Sequence, residues 1–286
     1  HFLFFFIFPL YSPVTGDCKV VIMSKEKIFE VENLTKTYRE KDGTVTHAVK
    51  GISFSVEKGS IFGIIGANGA GKSTTIDCVL GVKECDSGSV KILGEQLVTE
   101  VEGGKKSSRI LKGKEHAALF ENIGVQFQDS RFQDKLRVSE SCELTSSLYQ
   151  NPASWRELLE DFGLAGTEQK YINTLSGGQK QKLALIQALI PNPKIAFLDE
   201  LTTGLDPSSR RKIWNYLKKM QSNGMSIILT SHYMDEVEFL CDRIAILKDG
   251  LIQAEGSPAE LIAQHNAKNL EETILIYMDK SEDDNE

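Results

Sequence analysis

Two stretches near the start of the chain alternate apolar and polar residues with a period near two: "IFEVENLTKTY" and "VTHAVKGISFSVEKG". That period predicts half-buried strands, here an antiparallel sheet. The next run, "SIFGIIG", is continuously apolar and reads as a strand buried on both faces, and "STTIDCVL" after it reads as a helix start. "SGSVKILGEQL" is another short strand bounded by glycines. Residues 129–190 carry helical patterning. In "SWRELLEDFG", Ser154 stands at an N-cap with Glu157 three residues on and Gly163 as a stop, and "QKQKLALIQALIPNP" is a helix closed by Pro191. "KIAFLDE" and "MSIILTSH" are again continuous apolar runs, each ending in polar residues, as buried parallel strands read. "RIAILKDGLIQAEG" predicts a hairpin turning at Asp249-Gly250. "SPAELIAQ" starts a last helix, with Ser257 as cap, Pro258 in the first turn and Glu260 closing a capping box. The acidic tail, residues 279–286, is expected to be disordered.

No apolar run reaches the roughly 18–20 residues that span a bilayer. The nearest, "HFLFFFIFPLYSPV", is short, is interrupted by Pro9 and has no preceding basic residues, so it also makes a poor signal peptide. Met23 opens "MSKEKIFEVENL", which reads like a natural start, so residues 1–22 are expected to be a non-native or disordered extension. The tail of a membrane segment is the second reading. Residues 99–120 are polar and carry Lys105, Lys106, Arg109, Lys112 and Lys114; they read as a solvated loop or surface helix, or else as a contact for acidic lipid or a partner. A net charge of −7 gives no electrostatic support for a nucleic-acid role. Cys18, Cys78, Cys85, Cys142 and Cys241 include no C-x-x-C pair, which favours reduced thiols over a disulfide framework or zinc site.

The stretch between the first buried strand and its helix changes the picture. Gly66, Gly71, Lys72 and Ser73, within "GANGAGKST", fit G-x-x-x-x-G-K-[ST]. Glycines let backbone N–H groups turn toward an anion, and the helix that follows points its positive end at the same place. Asn68, Gly69, Ala70 and Thr74 complete the expected cradle. Lys72 can reach β- and γ-phosphates, and the Ser73 hydroxyl can ligate Mg²⁺. The strand–turn–helix context makes the chain a binder of a nucleoside triphosphate. Asp199 and Glu200 end the "IAFLD" strand; the first can hold Mg²⁺ and the second can polarise an attacking water. His232 ends "IILTSH" and can hydrogen-bond a γ-phosphate. "LSGGQ" places Ser176, Gly177, Gly178 and Gln179 just before a helix, a second ready-made anion site about a hundred residues from the first. The simplest use of two such sites is that one copy's loop and another copy's "SGGQ" grip each nucleotide. The fold class expected is α/β: a P-loop NTPase core with a parallel sheet, an N-terminal antiparallel β subdomain and an inserted α-helical subdomain.

From about Ile28 to Met278 the chain resembles the nucleotide-binding subunit of ATP-binding cassette (ABC) transporters, in the exporter-type single-cassette form. "GANGAGKST" is similar to the family's Walker A motif, "LSGGQ" to its signature and "IAFLDE" to its Walker B, in the family's order. The resemblance implies a D-loop role for Asp206 in "TTGLD", a switch role for His232, and a Q-loop role for Gln128 in "IGVQFQD", which senses Mg²⁺ and water and touches the membrane partner. It implies that Tyr38 in "LTKTY" stacks on adenine. Leu201 replaces the usual proline after the Walker B glutamate, and Lys182 the usual arginine after the signature. Phe127 replaces the usual proline before the Q-loop glutamine, which leaves Gln126 open beside Gln128.

The cassette domain is expected over residues 27–278, with its helical subdomain at about 129–190. The resemblance implies an ATPase using ATP and Mg²⁺, a second cassette as partner in a homodimer, and a separate integral-membrane permease, with the subunit peripheral on the cytoplasmic face. Phe132, Leu136 and Val138 are candidate apolar anchors for that permease. A soluble cassette ATPase in cofactor assembly is the competing reading. A GTPase or small-molecule kinase fits worse, since no N-K-x-D motif is present and "LSGGQ" would have no use.

Overall fold

The computed structural model describes residues 26–40, 42–98, 101–102, 105–106, 114–128, 132–133 and 135–279. Residues 1–22, the tail at 280–286 and much of the basic stretch lie outside them. The first half of the chain runs β1 (Lys27–Arg39), β2 (Val45–Glu57), β3 (Ile61–Ile65), α1 (Lys72–Val79), β4 (Ser87–Ile92) and β5 (Glu95–Val98). The two-residue strands β6 (Val101–Glu102) and β7 (Lys105–Lys106) follow, then α2 (Lys114–Phe120) and β8 (Ile123–Gln126). Three helices come next, α3 (Val138–Ser147), α4 (Trp155–Asp161) and α5 (Gly177–Leu189), and β9 (Ile195–Asp199) returns to the sheet. The chain continues through α6 (Pro207–Ser222), β10 (Ser226–Ser231), α7 (Met234–Leu240), β11 (Arg243–Lys248) and β12 (Leu251–Gly256) to α8 (Pro258–Gln264) and α9 (Leu270–Asp279).

The continuous apolar runs are strands of a central sheet in the order β12-β11-β3-β10-β9-β8, parallel except for β12 against β11. Both faces of this sheet are buried, which explains the missing alternation. Successive residues feed two separate cores. Ile61, Ala196, Leu198, Ile227 and Leu229 pack into the core formed with the helical segment and the C-terminal helices. Phe62, Ile64, Ile195, Phe197 and Ile228 pack into the core shared with α1 and the N-terminal sheet. In that second core Phe29 meets Phe197 edge-on at 5.5 Å, and Phe54 stacks on Phe62 at 5.2 Å.

The N-terminal sheet is antiparallel, in the order β2-β1-β4-β5. The single strand expected in "SGSVKILGEQL" is therefore a hairpin, turning where Leu93 and Gly94 both adopt positive φ. The β11–β12 hairpin turns at Asp249-Gly250, with φ of 49° and 77°. Ser154 caps α4 by accepting from the Glu157 N–H, and Ser257 and Glu260 form the expected capping box on α8. The helix expected to be last is followed by α9, whose Leu270 and Ile274 are buried against the C-terminal core. Among the described residues no helix is long and apolar enough to cross a membrane.

Candidate nucleotide-binding site

β3 ends at Ile65 and α1 begins at Lys72, so residues 66–71 form a loop at the C-terminal edge of the central sheet. Gly71 caps α1 with φ 106°, and a Cβ there would lie 2.4 Å from the Ala48 carbonyl oxygen of β2. Only glycine allows both the left-handed backbone and this approach. Lys72 is almost fully buried, and its ammonium donates to the Gly66 and Ala67 carbonyls at 2.8 and 3.0 Å. Burial lowers its pKa, opposed by the nearby charges of Glu200 and Asp199.

β10 lies between β3 and β9, and Thr230 pairs with Ile64 on one side and Asp199 on the other. The three loops that follow these strands therefore emerge side by side. Asp199, 4 % exposed, accepts a short hydrogen bond from the Thr230 hydroxyl. Burial raises the Asp199 pKa, while the Thr230 and Ser73 hydroxyls pull it back. Glu200 adopts φ 50°, a left-handed conformation that costs about 1–2 kcal/mol for a non-glycine residue. Its N–H donates to the Thr230 hydroxyl at 3.1 Å, and the Gln181 amide of α5 donates to the Glu200 and Leu201 carbonyls, both at 3.1 Å. His232 follows β10 directly, with Nδ1 3.9 Å from Glu200 Oε1 and its ring 4.1 Å from that of Tyr233.

Ala48, Asn68, Gly69, Gly71, Lys72, Ser73, Thr74, Gln128 and Glu200 line one cleft of about 260 Å³. The structure thus brings the phosphate-loop residues, Gln128 and Glu200 together, with Asp199 and His232 at its edge. The oxygen donors here, the Ser73 hydroxyl, the Asp199 carboxylate and the Gln128 amide, are the hard ligands that Mg²⁺ prefers. Burial alone favours neutral Asp199, and a cation would restore its ionised form.

The end of β8 separates the two glutamines. Gln126 pairs with Leu198 inside the sheet, is 2 % exposed and lacks a hydrogen-bond partner among the described residues at both amide atoms. Gln128, past the strand end, reaches the cleft. The signature does not join the cleft of its own chain. Ser176 accepts from the Gln179 N–H at 3.2 Å, and Gln179 accepts from the Ser176 N–H at 3.0 Å, which caps α5. Gly178 packs against the Gly204–Leu205 turn, where a Cβ would meet Leu205 at 3.2 Å and the Gly204 oxygen at 3.3 Å. Asp206 caps α6 by accepting from the Ser209 N–H at 3.0 Å, and hydrogen bonds from the Ser209 hydroxyl and N–H hold its carboxyl well below the usual range. Tyr38 is not among the lining residues; the Lys36 and Lys83 ammoniums sit 5.3 and 5.5 Å from its ring centre, a cation–π arrangement.

Thr230, Gln181 and Ala48 escaped the motif reading. Thr230 was recoverable from parallel register, because a hydroxyl two residues before His232 stands opposite Asp199. The expected docking anchors are a correction. Val138 is fully buried, and Phe132 and Leu136 pack against the helical-side core. The exposed apolar residues of this region are Leu144 and Leu148, at 58 % and 70 %, and Phe127 at 38 %.

Comparison with known proteins agrees with this geometry. The family model described as ABC transporter matches residues 49–203. The linearmycin resistance ATP-binding protein LnrL of Bacillus subtilis is 37 % identical over 242 residues, 83 % of this chain and 71 % of that protein. The Nod factor export ATP-binding protein I of Ralstonia nicotianae is 35 % identical over 240 residues, 82 % of this chain and 68 % of that protein. A dimeric ATP-binding cassette in a post-hydrolysis state, bound to ADP and Pi, superposes with a TM-score of 0.70 at 28 % identity, covering 80 % of this chain and 98 % of the other.

Proposed function

The chain belongs to the ABC transporter family as one of its ATP-hydrolysing subunits, and from that premise we propose how its residues divide the work. The observation that carries the proposal is the split between two anion-grade sites. The cleft gathers Lys72, Ser73, Gln128 and Glu200, while Ser176 to Gln179 lies outside the cleft of its own chain. Two copies then complete each other, each supplying its phosphate loop to one nucleotide and its signature to the other. Lys72 exchanges the neutral Gly66 and Ala67 carbonyls for phosphate oxygens, which are stronger acceptors. Ser73, Asp199 and Gln128 would hold Mg²⁺, which neutralises phosphate charge. Glu200 orients and deprotonates the attacking water, and His232, beside it, donates toward the γ-phosphate. Asp206 faces the partner cassette.

The relatives named for export and resistance support an export role for the transporter that this subunit drives. Its partner is an integral-membrane permease, which holds the cassette at the cytoplasmic face. Leu144 and Leu148 stand one helical turn apart on and just after α3 and are the apolar contacts offered to that permease. Glu200→Gln keeps the side chain's shape but cannot take a proton. With MgATP it should elute as a dimer in size-exclusion chromatography and hydrolyse ATP at background rate. A variant that turns over ATP at the wild-type rate would move the base elsewhere.

A further inference from the structure

Outside the cleft, one acidic group among the described residues is fully enclosed. Glu236, in the first turn of α7 and four residues after His232, has no solvent exposure. Its Oε1 accepts two hydrogen bonds, from the Thr202 hydroxyl at 2.7 Å and from the Trp214 indole N–H at 2.8 Å. Both donors are buried as well. Thr202 lies two residues after Glu200. Trp214 lies in α6, the helix that Asp206 caps. One carboxylate oxygen therefore ties together the three segments that carry Glu200, Asp206 and His232.

The arrangement is costly for a purely structural tie. The second oxygen, Oε2, is buried without a partner among the described residues, and so is Nε of the neighbouring Arg210. Arg210 lies 4.1 Å over the Tyr233 ring and 5.2 Å over the Trp214 ring, and it gives its hydrogen bond to Asp235 instead. An apolar residue at 236 would fill the same space without burying a carboxylate. What the carboxylate adds is a fixed point for the far end of the Glu200 loop. Glu200 holds a left-handed backbone, anchored upstream by Thr230 and at its carbonyl by Gln181. Thr202 anchors it downstream. Loss of that anchor frees the loop to relax away from the strained conformation that aims the Glu200 carboxylate.

We propose that Glu236 is a positioning residue for ATP hydrolysis, acting through Thr202 on Glu200 and coupling that loop to α6 and α7. This rests on the reading of Glu200 as the group that activates water. Thr202→Val and Trp214→Phe each remove one donor and leave Glu236 in place. Glu236→Gln keeps a carbonyl oxygen that can accept both bonds, and Glu236→Leu keeps none. Steady-state ATPase rates, KM for ATP and thermal melts are measured on each, with Glu200→Gln alongside. Thr202→Val should lower kcat about tenfold or more with KM within about twofold, because the loop is displaced after nucleotide is bound. Glu236→Gln should retain kcat within about twofold, and Glu236→Leu should match or exceed the loss in Thr202→Val. Lower melting temperatures with unchanged kcat in Thr202→Val and Trp214→Phe would reduce Glu236 to a structural tie and overturn the proposal, even if Glu236→Leu fails to fold. Equal losses in Glu236→Gln and Glu236→Leu would also overturn it, since charge rather than hydrogen-bond acceptance would then matter. An active Glu200→Gln would instead refute the underlying assignment of Glu200.

Discussion

The phosphate loop contains a comparison that tests how it is held. Gly69 and Gly71 both have positive φ, 84° and 106°. A Cβ at Gly69 would meet nothing within 4 Å, whereas one at Gly71 would lie 2.4 Å from the Ala48 carbonyl oxygen. Gly69→Ala therefore carries the backbone strain alone, about 1–2 kcal/mol. Gly71→Ala carries a similar strain and must also push a β2 carbonyl aside, which adds about 1–3 kcal/mol for a tightly packed site. The stabilisation that alanine gives by restricting the unfolded chain is common to both and drops out of the difference. At about 3 °C per kcal/mol for a domain of this size, Gly71→Ala should lower Tm by about 6 °C more than Gly69→Ala. The assay is thermal unfolding of nucleotide-free protein, followed by circular dichroism, so that altered ATP binding does not enter. Equal losses would refute the reasoning, because they would mean that β2 does not press on the start of α1 as described.

Two other substitutions test separate parts of the structure. Gln126→Met replaces a buried amide lacking partners at both atoms with an apolar side chain of similar length, so it should raise stability by about 1–3 kcal/mol, read as a higher urea midpoint; a lower midpoint would mean that the amide is satisfied. Leu144→Asp with Leu148→Asp changes only exposed side chains, so basal ATPase should persist while co-sedimentation with membranes containing the permease is lost; retained co-sedimentation would place the docking contact elsewhere.

Much of the fold was legible because its signals are local. The continuous runs at residues 61–65, 195–199 and 226–231 are strands whose successive residues serve two cores, and burial on both faces leaves an unbroken apolar stretch. Capping residues marked helix starts for the same reason: Ser154, Ser176 and Ser257 each accept a hydrogen bond from an N–H three residues on. The phosphate loop was legible because few sequences concentrate glycine, lysine and serine at that spacing between a strand and a helix. What a local reading leaves open depends on tertiary placement. Phe132, Leu136 and Val138 read as a docking face, and only their packing in and against the helical-side core assigns them to it instead. Gln126 and Gln128 differ by two positions, yet one ends a buried strand and the other has passed its end. The lysines around Tyr38 come from either side of the phosphate loop, Lys36 from β1 and Lys83 from beyond α1, so no local window contains both.

The charge arrangement of the lone cassette explains why nucleotide should bring two copies together. Lys72 is buried with its charge disfavoured, and its ammonium is engaged by two neutral carbonyls. Asp199 is buried with its own charge disfavoured, and Glu200 adds a second carboxylate nearby. Each group is thus poised for a ligand that carries both phosphate and a cation. The phosphate stabilises the ammonium, the cation stabilises the carboxylates, and neither alone satisfies both. On the function proposed above, the face of the bound phosphates turned away from Lys72 would be left for donors of a second chain. The first N–H groups of α5, at Gly177 and Gly178, have no acceptor within their helix, and Ser176 and Gln179 have already fixed its starting turn. On that proposal, such a helix start can take an anion from another chain, and the phosphate face can take donors from another. The two requirements are complementary and each chain carries both, so a symmetric pair satisfies them twice. On the function proposed above, loss of the γ-phosphate would weaken both grips together and let the pair reopen.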